Sequence, residues 1–224
     1  MNRISEPRSI DRATDKLSVF TRFGLLVVKN FLDPELCRRI REQVRSTTDW
    51  QSGEVHNTEN WVVDETVRKT EHAGVPESTE LLVKRRLRAL KPRLESHFSV
   101  ELTACEGVNF LFYRQGGFYV PHEDGFYVPH QDSNMPTDAP EVLKKRRVSI
   151  VIFLNQEAEE PHPDCYGGGA LVFYGLLKDP RWADWGFPIS SETGLLIAFP
   201  SHLTHEVEPV THGERYTIVS WFLS

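Results

Sequence analysis

The second half of the chain consists of short β-rich segments, and this pattern constrains the fold most strongly. After Cys105, glycine, proline and aspartate separate these segments, and only residues 140–146 show a helix-like pattern; the segments cover 108–113, 118–122, 126–130, 148–154, 170–174, 195–199, 206–210 and 216–223. Many short strands at this spacing are typical of a sandwich or jelly roll and not of a parallel α/β sheet. Residues 148–154 are nearly all apolar, which predicts a strand covered on both faces.

The first part of the chain, residues 18–98, is predicted to be mainly helical after one short strand at 24–28. Asp33 has the character of an N-cap, and Pro34 suits the first helical position. An apolar stripe at intervals of four then predicts a helix that ends near Thr47, with inward-facing Leu36, Ile40 and Val44.

A second helix is predicted over residues 80–97, with Leu82, Leu87, Leu90 and Leu94 facing inward. Pro92 lies inside this span, and proline removes a backbone donor and crowds the preceding turn. We therefore expect the helix to be kinked or split at Pro92.

These patterns predict an α+β protein with a mainly β core. The expected architecture is a double-stranded β-helix, a cupin-like jelly roll, with the N-terminal helices packed outside it. Because no linker composition is evident, residues 1–224 are predicted to form a single domain. Within it, about 18–98 would supply the N-terminal strand and supporting helices, and about 105–224 the β core.

Composition excludes several classes of partner. The chain has 32 acidic and 26 basic residues, a formal net charge of −6 and no charged block, which argues against a nucleic-acid surface. No apolar run approaches the roughly 18 residues needed to cross a membrane. The start lacks a secretory signal, and the three cysteines are far apart and form no C-x-x-C pair. A reducing, cytoplasmic location is expected.

Residues 117–124 and 125–132 form a tandem duplication in which seven of eight positions are identical. Each copy ends in His-x-Asp: His122 and Asp124 in the first copy, His130 and Asp132 in the second. Residues two apart on a strand face the same side, so each pair can reach one metal ion. Asp124 and the following glycine suit a two-residue turn, which predicts that the two copies form adjacent antiparallel strands.

A second set of candidate residues lies near the C-terminus. His205 is followed ten residues later by Arg215, and Thr217 comes two residues after that. Two histidines and one carboxylate leave three coordination positions open on Fe(II), the arrangement of non-haem oxygenases. An arginine on a neighbouring strand can bind a dicarboxylate through two hydrogen bonds.

On these residues the sequence resembles the prolyl-4-hydroxylase-type branch of the iron(II)/2-oxoglutarate dioxygenases. The resemblance runs from about residue 18 to the end and is most specific in three motifs: Tyr113-x-x-Gly116-Gly117-x-Tyr119-x-x-His122-x-Asp124 or its second copy, residues 166–171, and His205-x-Val207-x-Pro209-Val210-x-x-Gly213-x-Arg215. It implies a double-stranded β-helix that uses Fe(II), 2-oxoglutarate and O2, with ascorbate as reductant.

The resemblance also implies an activity. It is the hydroxylation of an unactivated C–H bond in a small molecule, an amino acid or a short peptide, with release of succinate and CO2. One His-x-Asp pair and His205 would bind the metal. Arg215 would pair with the distal carboxylate of 2-oxoglutarate, assisted by Tyr113 and Thr217. Read without the resemblance, Tyr113 is a core aromatic and Thr217 a good strand former.

The spacing to neighbouring motifs does not distinguish the two copies, because a tandem insertion preserves both intervals. The sequence favours His130 and Asp132, since residues 133–134 behind them resemble the family motif and the first copy has an additional carboxylate at Glu123. His122 and Asp124 are the alternative.

A second hypothesis is a cupin-like metal-binding or sugar-binding module without redox chemistry, because one fold serves many functions. Such a module would not need Arg215 at its interval from His205. The sequence leaves the substrate and the oligomeric state open.

Overall fold

The computed structural model describes residues 19–56, 60–124, 141–177 and 179–224. The described residues include the helices α1 (Pro34–Ser46), α2 (Glu77–Phe98) and α3 (Glu141–Lys145), with a 3-10 turn at Pro180–Trp182; residues 19–22 are also helical. The strands before α3 are β1 (Leu26–Val28), β2 (Trp50–Ser52), β3 (Val55–His56), β4 (Trp61–Val62), β5 (Arg68–Lys69), β6 (Glu71–Ala73), β7 (Ala104–Cys105), β8 (Asn109–Tyr113) and β9 (Phe118–His122). Those after it are β10 (Arg146–Phe153), β11 (Gln156–Glu157), β12 (Cys165–Gly168), β13 (Leu171–Phe173), β14 (Phe187–Ile189), β15 (Leu196–Pro200), β16 (His205–Val207), β17 (Val210–Gly213) and β18 (Arg215–Leu223).

Two sheets dominate the architecture. The larger has the strand order β1-β15-β10-β18-β8-β6-β2, with β7 also paired to β18. The smaller has the order β14-β13-β16-β9-β5, and its strand pairs are antiparallel. A three-stranded sheet, β11-β12-β17, and the β3–β4 pair complete the described strands. The prediction of a mainly β core is confirmed.

The larger sheet is covered on both faces because its side chains alternate between two hydrophobic clusters. In β8, Phe110 belongs to the cluster that contains the helix residues Ile40 and Leu87. Its neighbour Leu111 belongs to the cluster that contains Phe173 of the smaller sheet. This alternation follows from the two-residue period of a strand. The helices therefore pack on one face of the larger sheet, and the smaller sheet packs on the other.

The first predicted helix is confirmed as α1. The side chain of Asp33 accepts a hydrogen bond of 2.8 Å from the backbone N–H of Leu36, so Asp33 is the N-cap. Pro34 occupies the first turn, and the predicted apolar residues Leu36, Ile40 and Val44 are buried.

The second predicted helix is longer than expected and is not split. α2 runs through Pro92 as one helix, with Val83, Leu87, Leu90 and Leu94 buried. Of the two alternatives predicted at Pro92, a kink or a split, the split is wrong, because buried side chains on both sides of Pro92 anchor the helix to the same hydrophobic cluster. Tertiary packing of an apolar face supplies most helical stability in proteins.

The substitution Leu87→Ala tests this packing. Leu87 has no exposed surface, so removing its side chain should lower the free energy of unfolding by about 2–5 kcal/mol. Leu81→Ala is the matched control on the same helix, because Leu81 is 54% exposed and its truncation should change stability by less than about 0.5 kcal/mol. Equal losses in urea denaturation would contradict the burial pattern of α2.

The expectation of mainly helical structure across residues 18–98 is wrong for residues 50–73. This segment forms five short strands, β2 to β6, each two or three residues long. Charged residues such as Arg68 and Lys69 give β5 no apolar alternation. Pairing with β9 makes this segment extended, and sequence periodicity does not record such a long-range contact.

Most of the predicted strands in the second half are confirmed within one or two residues. The predicted strand at 206–210 is two strands, β16 and β17, with Pro209 between them. Proline has no N–H to contribute to a ladder, which explains the interruption. The predicted strand at 126–130 lies outside the described residues. None of the described helices is long and apolar enough to span a membrane.

Candidate metal and cosubstrate site

Two histidines face each other across the β9–β16 pair. His122 ends β9 and His205 begins β16, and the antiparallel register places them directly opposite one another. Their ring centroids are 4.2 Å apart. Asp124 follows β9 two residues after His122, and its Oδ2 lies 3.8 Å from His205 Nε2. One ligand atom from each of the three side chains lies within 4.8 Å of the other two.

Backbone carbonyls fix the orientation of both imidazoles. His122 Nδ1 lies 2.8 Å from the carbonyl oxygen of Val120, and His205 Nδ1 lies 2.9 Å from that of Leu203. Each Nδ1 therefore carries the proton and donates to the carbonyl, which leaves the lone pair of each Nε2 available. Metal-binding histidines are commonly oriented by such a hydrogen bond from the other ring nitrogen.

The protonation states favour a cation in this cluster. Burial and the neighbouring His205 lower the pKa of His122 well below its usual value, so His122 is neutral at neutral pH. Burial alone would raise the pKa of Asp124, but interactions with His205 and His122 outweigh it. The Arg146 guanidinium and a hydrogen bond from Ser149 lower it further, so the buried carboxylate stays ionised.

The donor set of this cluster suits a particular kind of metal. Two imidazoles and one carboxylate that share one point are the ligands of non-haem Fe(II) sites with open coordination positions. His122 and His205 are 3% and 4% exposed, so the cluster lies inside the protein. The residues present therefore fit an Fe(II) ion.

A cavity of about 780 Å³ connects the cluster to the C-terminal strand. Alternate residues of β18 face into it: Arg215, Thr217, Val219 and Trp221. Tyr113 of β8 pairs with Arg215 in the register of the larger sheet and also lines the cavity. The predicted cosubstrate residues Arg215, Tyr113 and Thr217 thus share one cavity with the histidine cluster.

Arg215 is the largest fully buried side chain of the described residues, at 1% exposure. Its Cζ lies 4.9 Å from the Tyr113 ring centroid and 5.4 Å from that of Phe153. Its Nη1 lies 3.4 Å from the hydroxyl oxygen of Thr217, which accepts a long hydrogen bond. Aromatic faces and one hydroxyl therefore surround a permanent positive charge.

This charge lacks a protein counter-ion in the described part of the chain. No ion pair joins Arg215 to a described carboxylate, and its buried Nε has no hydrogen-bond partner there. A buried guanidinium of this kind is costly unless it is paired. The distal carboxylate of 2-oxoglutarate would supply the missing charge and acceptors, so these residues fit that molecule.

Gly169 creates space beside this arginine. Its φ of +62° is in the left-handed region, and a Cβ at this position would lie 3.1 Å from Arg215 Cδ and 2.9 Å from Val210 Cγ2. Glycine is therefore required here for both conformation and space. The glycine run at 167–169 ends β12 and leads into β13.

The second copy of the His-x-Asp motif lies outside the described residues. His130 and Asp132, which the sequence favoured as ligands, therefore remain a prediction. The structure brings the alternative pair, His122 and Asp124, together with His205. The predicted hairpin between the copies also involves residues outside the described part of the chain. Among the described strands, the neighbours of β9 are β16 and β5.

Sequence reasoning missed several residues near this cluster. Tyr119 stacks on His122 with ring centroids 3.5 Å apart, and the Arg68 Cζ lies 4.8 Å from the Tyr119 ring centroid. Arg68 and His72 line the cavity from β5 and β6. Tyr119 could have been found from its place in the duplicated motif, since it precedes His122 by three residues. Arg68 and His72 had no local signal, because only strand pairing brings them to the site.

Two family models match the chain. The model of the 2OG-Fe(II) oxygenase superfamily matches residues 108–223, more than half of the chain. The matched residues include the cluster of His122, Asp124 and His205 and the predicted cosubstrate residues Tyr113, Arg215 and Thr217. The model of phytanoyl-CoA dioxygenase matches residues 20–160.

Curated relatives of the chain include PKHD-type hydroxylases. That of Sphingopyxis alaskensis is 35% identical over 112 residues, which cover 50% of this chain and 41% of the relative. The chain thus spans less than half of that relative's length. That of Hyphomonas neptunium is 24% identical over 208 residues, which cover 89% of this chain and 78% of the relative.

Solved structures with similar folds include two prolyl hydroxylases. The prolyl-4-hydroxylase of Pseudomonas putida has a TM-score of 0.64 at 22% identity and covers 95% of this chain and 99% of its own. The prolyl hydroxylase of Trichoplax adhaerens, solved with a peptide fragment of hypoxia inducible factor, has a TM-score of 0.63 at 19% identity. It covers 96% of this chain and 94% of its own. Taken with the cluster of His122, Asp124 and His205 and with the buried arginine, these matches show that the chain belongs to the 2OG-Fe(II) oxygenase superfamily and, within it, resembles the prolyl-4-hydroxylase-type branch.

Proposed function

We propose that this chain is an Fe(II)- and 2-oxoglutarate-dependent hydroxylase that acts on an unactivated C–H bond of a small molecule, an amino acid or a short peptide. The observation that carries the proposal is the shared cavity, which joins two oriented imidazoles and an ionised carboxylate to a buried, unpaired arginine. A non-redox cupin-like module gives no reason for that arginine. The names of the relatives, which are hydroxylases, support the same reaction class.

We assign the metal to His122, Asp124 and His205, and the distal carboxylate of 2-oxoglutarate to Arg215 with Thr217 and Tyr113 beside it. This assignment replaces the second-copy pair that the sequence favoured. Fe(II) bound with 2-oxoglutarate and O2 supplies the oxidising power that inserts one oxygen atom into a C–H bond while succinate and CO2 are released. Ascorbate would serve as reductant.

The chain's own contribution is to hold and orient these groups. Val120 and Leu203 fix the two imidazoles through their carbonyl oxygens. The backbone N–H of Asp124 donates to the carbonyl oxygen of Ser201 at 3.1 Å, which anchors the residue that bears the carboxylate. The two facing sheets, which we interpret as a double-stranded β-helix, form walls of the cavity that holds these groups.

Succinate formation tests the proposal. Purified protein with 2-oxoglutarate, Fe(II) and ascorbate should form succinate, and removal of either Fe(II) or 2-oxoglutarate should abolish it. Turnover that continues in thoroughly chelated protein would contradict the proposal.

A binding measurement separates the oxygenase from a non-redox module without requiring the substrate. Calorimetry with Mn(II) in place of Fe(II) should show binding of 2-oxoglutarate, whereas a sugar- or metal-binding module should show none. Metabolite extracts incubated with the active protein should then yield products heavier by about 16 mass units, the mass of one oxygen atom.

A further inference from the structure

We propose that the substrate of this hydroxylase carries a carboxylate or a comparable anionic group, which Arg68 binds beside the cluster of His122, Asp124 and His205. This inference rests on the proposed function and extends it to a substrate class. It comes from one cation in the cavity that neither the metal nor 2-oxoglutarate explains.

Arg68 is connected to the cluster of His122, Asp124 and His205 by contacts with Tyr119. Strand β5 pairs with β9 so that Arg68 lies opposite Tyr119. The guanidinium Cζ lies 4.8 Å from the Tyr119 ring centroid, and the same ring stacks on His122 with 3.5 Å between the centroids. Two successive contacts therefore connect the guanidinium to a proposed metal ligand, and both Arg68 and His122 line the same cavity.

The hydrogen-bond partners of Arg68 are neutral. Its Nη1 donates to the backbone carbonyl of Glu54 at 3.0 Å, and its Nη2 lies 3.3 Å from His72 Nε2. Burial and the charge of Arg68 lower the pKa of His72 to about 4, so this imidazole accepts the hydrogen bond in its neutral form. The buried Nε of Arg68 has no partner among the described residues, and no ion pair joins the guanidinium to a described carboxylate. Its positive charge is therefore not compensated there.

Each of the other two arginines that line the cavity has an anionic partner, either in the structure or in the proposed function. Arg146 forms two hydrogen bonds with the carboxylate of Glu106, at 2.6 and 2.7 Å. Arg215 is assigned to 2-oxoglutarate. Among the arginines that line the cavity, only Arg68 is left to bind a substrate group. A partly buried, uncompensated guanidinium attracts carboxylates strongly because charge-assisted hydrogen bonds exceed neutral ones in strength.

The test compares ligands that differ in one charge. Wild-type protein is first loaded with Mn(II) and N-oxalylglycine, a 2-oxoglutarate analogue that occupies the Arg215 end. A panel of N-acetyl amino acids and the corresponding N-acetyl amino acid amides is then titrated, with binding followed by NMR. We expect the best carboxylate to bind about tenfold or more tightly than its amide.

Three variants assign that preference to Arg68. Arg68→Gln should bring the carboxylate and its amide to equal affinity, and Arg68→Lys should keep part of the difference because it keeps the charge. Lys69→Gln is the matched control: it removes one positive charge from the adjacent, exposed residue of the same strand, which points to the opposite face. It should leave the preference unchanged.

The ring signals of His72 provide a local readout that does not depend on turnover. Because His72 contacts the guanidinium, carboxylate binding should shift its signals in the wild type and in Lys69→Gln but not in Arg68→Gln. Equal binding of carboxylates and amides to the wild type, no binding by any member of the panel, or a preference that survives in Arg68→Gln would overturn the inference.

Failure of the inference is distinct from failure of the proposed function. A protein that binds Mn(II) and N-oxalylglycine but shows no carboxylate preference retains the proposed function and loses only the role of Arg68. A protein that binds neither Mn(II) nor N-oxalylglycine loses both.

Discussion

Replacement of His122, Asp124 or His205 by alanine is expected to lower Fe(II) affinity by more than about a hundredfold and to abolish succinate formation. Changes in residues that only orient metal ligands already cost about 10–100-fold, so removing a ligand should cost more. The three side chains converge from β9, the residues after it and β16, and each supplies one ligand atom. The measurement is anaerobic Fe(II) binding, or Mn(II) binding followed by electron paramagnetic resonance.

The duplicated motif supplies matched controls for this prediction. His130→Ala and Asp132→Ala make the same chemical changes in the second copy and should leave metal affinity close to that of the wild type. Loss of metal in these two variants, with retention in His122→Ala and Asp124→Ala, would favour the second copy and refute our assignment. Retention in all four would mean that the copies substitute for each other.

Arg215→Ala is expected to weaken 2-oxoglutarate binding several hundredfold or more while leaving Mn(II) affinity nearly unchanged. Arg215 is buried and has aromatic rings and the Thr217 hydroxyl as its neighbours, so nothing near it in the described structure can replace its charge. Removing one partner of a buried charge pair costs about 3–5 kcal/mol, which corresponds to this loss of affinity. Calorimetric titration of the Mn(II)-loaded protein gives both affinities.

Arg215→Lys and Arg68→Gln are the controls for this variant. Arg215→Lys keeps the charge without the bidentate geometry, so its affinity should lie between those of the wild type and Arg215→Ala. Arg68→Gln removes a different arginine from the same cavity and should leave 2-oxoglutarate affinity near the wild-type value. If Arg215→Ala binds 2-oxoglutarate as the wild type does, the arginine has been misassigned. Thermal unfolding of each variant confirms that a loss of affinity is not a loss of fold.

The two predictions probe different parts of one cavity. The substitutions of His122, Asp124 and His205 affect the smaller sheet, where β9 and β16 pair. The substitutions of Arg215 affect β18 of the larger sheet. Residues of both sets line the same cavity. In our proposal, the metal would hold the keto acid end of 2-oxoglutarate and Arg215 would hold its distal carboxylate. Loss of metal should therefore also weaken 2-oxoglutarate binding, whereas loss of Arg215 should not weaken metal binding to the same extent.

The local spacing of the sequence predicted much of the site. His-x-Asp places two ligands on one face of a strand, because the side-chain period of a strand is two residues. The same period places Arg215 and Thr217 together, and both line the cavity in the structure. The N-cap at Asp33 was equally predictable, since it depends on residues within one helical turn.

The tertiary structure decided what local spacing leaves open. The two copies are nearly identical over eight residues, so the choice between them rests on which pair lies next to His205, more than 70 residues away along the chain. In the structure, the antiparallel register of β9 and β16 makes His122 the neighbour of His205. Arg68 likewise reaches the site only through the pairing of β5 with β9. The sequence by itself determined the kinds of ligand and their spacing within each strand, because backbone geometry sets these. Only long-range strand pairing brings His122 next to His205 and Arg68 into the cavity, because no local pattern records contacts between distant segments.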